Sequence, residues 1–199
     1  MHCASCATLI TKGLQNDPAV KYANVNLTTE KATIEFDENK TNEAKIINLI
    51  KSLGYGAEIS SSNRDKEELR RKKNLKDLKN LVIFSMIFSI PAFLVGMVFM
   101  WAGLEIPYKN YILFALANPV QFIVGKHIYK SAISALKNKT ANMDSLIALG
   151  TSAAYFYSVY VVLFAPMQDQ YFEAAAVLIT FVMIGRYLEA IAKGKTSEA

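Results

Sequence analysis

Residues 171–193 read YFEAAAVLITFVMIGRYLEAIAK. At about 1.5 Å of rise per residue, this stretch is long enough to cross a bilayer as one helix. It holds two carboxylates, Glu173 near one end and Glu189 near the other. Roughly 24 Å of helix separates them, so they mark opposite membrane faces and do not align on one side. Two readings stand side by side. As interfacial glutamates, Glu189 pairs with Arg186 or Lys193 at helical spacing and Glu173 sits among headgroups. As ionisable groups at membrane depth, both are functional-site candidates, because such groups are costly to keep there.

Three further apolar segments precede this one, at about 80–102, 110–125 and 144–164. Pro91 should kink the first, and Pro119 with Gly125 weakens the second. Beyond Gly125 the pattern turns amphipathic. Ile128, Tyr129, Ala132, Ile133 and Leu136 share one face, with Lys126, Lys130, Lys137 and Lys139 around the other. Such a segment lies in the interface rather than crossing it. Basic residues fall at Arg64–Lys79, Lys126–Lys139, Lys193 and Lys195, whereas the intervening loops 103–109 and 165–170 carry only Lys109. Four crossings put every basic cluster on one side, which makes both termini cytosolic.

The first third of the chain is of another kind. Of all residues 52% are hydrophobic and 20% charged, a mixture that joins a soluble part to a membrane part. The N-terminus has no apolar h-region and so no signal peptide. Cys6, Leu9, Ile10, Gly13 and Leu14 recur with helical period, and Asn16-Asp17-Pro18 ends the run. Ala23, Val25 and Leu27 alternate as a strand, Thr28–Lys31 turns, and Ala32, Ile34 and Phe36 form a second strand. Thr41 or Asn42 caps a second helix with Ala44, Ile46, Ile47, Ile50 and Leu53 on its apolar face. Gly54 stops it, and 57–60 reads as a short final strand. The order is helix, strand, strand, helix, strand, one strand short of the split βαβ pattern. Residues 61–79 are a polar, solvated helical linker that doubles as a positive-inside anchor.

Only two cysteines are present, Cys3 and Cys6. Their spacing makes a poor structural staple and reads as reactive or metal-binding thiols in a reducing compartment. Cys6 falls in the first turn of a helix, where the macrodipole favours thiolate. Two soft thiolates without a third cysteine or a histidine pair suit Cu(I) or Ag(I) better than a closed zinc site. Met1 reads as packing beneath the loop and His2 as exposed. A thioredoxin-like redox pair is the rival, but the surrounding pattern is too short for that fold. Further along, Asn142 can cap the third apolar segment with Asp144 in its first turn. Met143 then stands at the same membrane face as Glu189. A thioether and a carboxylate at one depth make a weak, transient cation site, against the plainer reading of methionine as apolar filler.

Taken together, Met1-His2-Cys3-Ala4-Ser5-Cys6, Val25–Ala32, Leu53-Gly54-Tyr55, Asn142–Gly150 and Tyr171-Phe172-Glu173 resemble the N-terminal part of the copper-transporting P-type ATPases of the heavy-metal subgroup. The resemblance covers essentially all 199 residues. It implies an α+β, ferredoxin-like heavy-metal-associated domain over 1–61, with its first strand missing, then the linker over 62–79. An all-α transmembrane region of four helices follows: two subgroup-specific helices with a platform over 80–140, and the first two core transport helices over 141–199. It further implies Cu(I), or Ag(I), at Cys3 and Cys6, ion admission at Met143 and Glu189, and an exit-path carboxylate at Glu173. Gly125, Lys126, Lys130 and Lys137 match a platform that docks a cytosolic copper chaperone or the metal domain. The other implied partners are membrane lipid, in a multi-pass plasma-membrane protein, and the remaining domains of the parent ATPase; nucleic acid is not among them. ATP and Mg2+ would act only in that parent. The chain contains no Cys-Pro-Cys motif and no Asp-Lys-Thr-Gly-Thr motif, so by itself it is expected neither to hydrolyse ATP nor to pump. Two rivals remain. One is a free-standing, membrane-tethered copper chaperone or sink, and the other a membrane thiol–disulfide oxidoreductase.

Overall fold

Cys6, Ile10 and Leu14 recur every four residues, and that spacing folds Ala4–Gln15 into helix α1 with all three side chains buried on one face. The computed structural model describes residues 4–59, 64–98, 101, 108–164 and 168–196. Strands β1 (Val20–Asn26) and β2 (Lys31–Phe36) pair antiparallel, with Ala23 opposite Ile34 and Val25 opposite Ala32. Between them the Asn26 carboxamide oxygen accepts from the N–H groups of Thr28 and Thr29, the local bonding that makes asparagine a turn residue. Helix α2 (Glu43–Ser52) starts where the Asn42 Oδ1 accepts from Lys45 N–H at 2.9 Å. Ile10, Leu14, Ala23, Val25, Ile46 and Ile50 close into one small core.

The end of α2 is a Schellman turn. Gly54 N–H reaches Lys51 C=O and Tyr55 N–H reaches Ile50 C=O, with Gly54 at φ +89°. The same turn meets the membrane part, because the Ser134 hydroxyl donates to Leu53 C=O at 2.9 Å and Asn138 Nδ2 donates to it at 3.2 Å. A Cβ on Gly54 would overlap the Ser134 side chain. Gly54→Ala is therefore expected to act twice. The left-handed backbone costs about 1 kcal/mol, and the soluble layer is pushed off its seat. Hydrogen exchange of the amides at 53–55 should rise at least tenfold. Glu30→Lys, which removes the partly exposed contact of Lys193 with the hairpin turn, should lower stability by less than about 1 kcal/mol through that contact.

Residues 57–59 run without strand pairing, and Ser60 lies outside the described residues. The expected final strand is thus absent from 57–59, for a topological reason. In a split βαβ sheet the last strand lies beside the one that precedes the first helix, and the described sheet consists of β1 and β2 alone.

The membrane part begins with α3 (Arg64–Phe93), which takes in the expected linker residues from 64 onward as its polar first half. Pro91 does not end this helix. Three residues later the turn widens over Leu94–Val98, the kind of bulge that absorbs a missing hydrogen bond. Pro119 acts in the same way. It closes α4 (Lys109–Pro119), and Val120–Val124 widen directly after it, with Gly125 N–H bonded to Val120 C=O at 2.9 Å. Then come α5 (Lys126–Lys137), α6 (Met143–Phe164) and α7 (Phe172–Thr196).

Three helices, over Glu68–Met97, Met143–Phe164 and Phe172–Gly194, are long and apolar enough to cross a membrane. The fourth expected crossing is not among them. Its 11 residues of α4 and 5 of widened turn rise about 24 Å, short of the roughly 30 Å hydrocarbon core. The helices carry their polarity inside. On α6, Thr151 and Ser158 are buried while Leu146, Leu149, Phe156 and Leu163 are exposed. Ser89 of α3 bonds the Thr180 hydroxyl and the Ala176 carbonyl of α7, at 2.7 and 3.1 Å. That arrangement suits a lipid solvent, where hydrogen bonds join helices and apolar side chains face outward. Tyr155 anchors the centre against Phe114, Phe122 and Phe172, its hydroxyl donating to Asn118 at 2.6 Å.

Candidate functional site

The Asn142 carboxamide caps α6 by accepting from Ser145 N–H at 2.8 Å, so Met143 becomes the first residue of the helix. Its side chain is 46% exposed. Helix α7 runs back antiparallel beside α6. The two are joined near one end by Tyr171 N–H donating to the Ser158 hydroxyl. Near the other end the Arg186 guanidinium donates to the Asp144 carboxylate. This ion pair is buried, with side-chain exposures of 5% and 4%. Glu189 follows Arg186 by one helical turn, and its carboxylate lies 2.7 Å from Lys193 Nζ. Lys193 also reaches Glu30 of the β1–β2 turn at 3.2 Å. One ammonium thus connects the Glu189 carboxylate to the soluble layer.

The expected site residues are therefore only partly brought together. Met143 and Glu189 stand at the same ends of neighbouring helices. Glu173 lies at the far end of α7, with its Oε2 buried and without a hydrogen-bond partner among the described residues. A cleft of about 190 Å³ opens beside it, walled by Gly96, Lys109, Asn110, Gln170 and Tyr171. A buried carboxylate oxygen with a lone pair to spare, beside a small polar cleft, has the chemistry to hold a cation briefly. Cys6 is buried in the first turn of α1, whereas Cys3 lies outside the described residues.

Helix α5 splits its apolar residues between two directions. Ile128 and Ala135 are buried against the neighbouring helices, while Ile133 and Leu136 are exposed, as are Lys126, Lys130 and Lys137. The expected single apolar face thus serves two surroundings. Gly125 precedes it with ordinary helical dihedrals, but a Cβ there would strike the Gln121 carbonyl. His127, next along, is held below the ordinary imidazole value of 6.5 by burial first, then by Arg186, Lys130 and Lys126. Because its folded-state pKa is depressed, its contribution to stability is fully present above about pH 6.5, the unfolded-state value, and is lost as the pH falls below that through the lower folded-state value. His127→Gln is expected to flatten the fall in thermal midpoint between pH 7 and pH 5.

A second cleft, of about 350 Å³, separates α1 from the loop before α6. Ala4, Ser5, Thr8, Leu9 and Lys12 line one wall, and Thr140, Ala141 and Asn142 lie opposite. The helix that begins between the two cysteines therefore opens toward the residue next to Met143.

The heavy-metal-associated domain family matches residues 1–56. Over its full length the chain is 42% identical to a copper-exporting P-type ATPase of Staphylococcus epidermidis (strain ATCC 35984). It is 40% identical to those of Staphylococcus haemolyticus and Staphylococcus aureus (strain MRSA252), again over its whole length. The chain is a relative of the copper-exporting P-type ATPases. It spans about a quarter of their length, 26% in each case. Asp144 and Arg186 were each visible in the sequence, as a first-turn acid and as a possible partner of Glu189. Their pairing across 42 residues was not, and it takes the arginine away from Glu189.

Proposed function

We propose that this chain is the metal-receiving and ion-admission portion of an ATP-driven Cu(I) exporter. Cys3 and Cys6 take Cu(I), or the chemically similar Ag(I), from a cytosolic chaperone as a two-thiolate complex. Ligand exchange passes the ion to Met143 and Glu189. As the cation arrives Glu189 gives up Lys193, one positive charge replacing another beside the carboxylate. Glu173 receives the ion near the opposite face, and Gly125 with Lys126, Lys130 and Lys137 forms the docking platform. Both termini are cytosolic, the membrane is the plasma membrane, and four segments cross it, with the widened turns shortening the second. ATP and Mg2+ act on the remaining domains of the parent exporter.

The observation that carries this reading is the cleft between α1 and Asn142. It sets the helix bearing Cys6 across a small cleft from the residue that caps Met143, and that nearness supports transfer from the thiolates to the thioether–carboxylate pair. In a complete exporter containing this sequence, Glu189→Gln is expected to cut Cu(I) export at least tenfold while ATP binding stays unchanged. Unaltered export in that variant would remove Glu189 from the path.

A further inference from the structure

Helices packed through apolar ridges have nearly equivalent arrangements one turn, about 5.4 Å, apart. The α6–α7 interface is of that kind over most of its length, with Ala148, Ala175, Ala176, Ile179 and Met183 in a common apolar core. Two polar contacts stand at its ends. Tyr171 N–H to Ser158 fixes one end, and Asp144 with Arg186 fixes the other. From Ser158 back to Asp144 is 14 residues, and from Tyr171 on to Arg186 is 15, about 21 and 22 Å of helix. The two contacts therefore fit one register and no other.

A buried ion pair is a poor source of net stability, since apolar side chains of the same volume do as well or better. Its best-attested use is to specify register. Here the Arg186 Nε is buried without a hydrogen-bond partner among the described residues, so stability alone does not account for the arginine. Met143 directly precedes Asp144, and Glu189 follows Arg186 by one turn on the same face. We propose that Asp144 and Arg186 are positioning residues, whose ion pair sets the register of α6 against α7 so that Met143 and Glu189 meet at one level. The inference rests on the ion-admission reading of those two residues. The pair is also neutral as a unit, so it holds the register without placing net positive charge where a cation must pass.

The test uses the full chain in lipid nanodiscs, with Cys3→Ser and Cys6→Ser so that only the membrane site can take metal. Asp144→Leu with Arg186→Met replaces the pair by apolar side chains of similar volume and avoids a stranded charge. Two quantities are read, the Cu(I) affinity in competition with bicinchoninate and the distance between spin labels at Leu146 and Leu188, both exposed. The expected result is a thermal midpoint within a few degrees of the parent, a label distribution broadened by several ångströms, and at least tenfold weaker Cu(I) binding. A sharp, unshifted label distance in the apolar variant overturns the positioning role whatever copper does. A broadened distance with unchanged Cu(I) affinity overturns the link between register and the site. If the parent binds no Cu(I), the ion-admission reading fails on its own, while the label distances still decide whether the pair sets register.

Discussion

Arg186→Leu alone is expected to destabilise the membrane part by about 3–5 kcal/mol, the largest single effect in this chain. The variant leaves Asp144 as an uncompensated charge in a site where its side chain is 4% exposed. The Ser158–Tyr171 contact and the apolar core survive it, so the loss should appear first at the Met143 end of the α6–α7 pair. Asp144→Leu added to Arg186→Leu should restore most of the stability, because it removes the stranded charge. Thermal unfolding in detergent or nanodiscs, read by far-ultraviolet circular dichroism, measures both. A single variant no less stable than the wild type would mean that the pair is open to water.

Leu14→Ala is expected to cost about 2–5 kcal/mol, enough to unfold the soluble layer. Leu14 is fully buried in a core of six buried side chains among the described residues, and the described sheet beneath it has two strands. A two-stranded sheet has little stability without the helices packed on it, so one cavity removes a large share of what holds the domain. The membrane helices have their own core around Leu113, Val120, Phe172 and Ile179. They should stay folded. Limited proteolysis should then cut Leu14→Ala within residues 4–59 and leave 108–196 protected, whereas concerted loss of both regions would show that the layers fold as one unit.

What was legible in the sequence is what local patterning decides. The fourfold spacing of Cys6, Ile10 and Leu14, the Asn42 and Asn142 caps, and the stop at Gly54 all act within a few residues, and each appears in the fold. Two prolines were expected to disturb helices. They do so by widening the next turn, because the surrounding helices absorb the lost hydrogen bond. Contacts set by tertiary packing were not legible. Asp144 with Arg186, Ser89 with Thr180, and Ser134 with Leu53 join residues 42 to 91 positions apart, and no periodicity encodes them. The division of α5 between buried Ala135 and exposed Leu136 has the same origin, since an amphipathic pattern shows that a face is apolar but not which neighbour covers it.

The central claim is that one chain carries two successive Cu(I) sites, a thiolate pair and a thioether–carboxylate pair. Anaerobic Cu(I) titration of the full chain in nanodiscs, with X-ray absorption at each step, tests it most directly. The account predicts a tight first equivalent with two short Cu–S contacts, abolished by Cys3→Ser and Cys6→Ser. A weaker second equivalent with mixed sulfur and oxygen ligation should follow, abolished by Met143→Leu and Glu189→Gln. A tight equivalent that survives loss of both cysteines, or a second one indifferent to Met143 and Glu189, would contradict it.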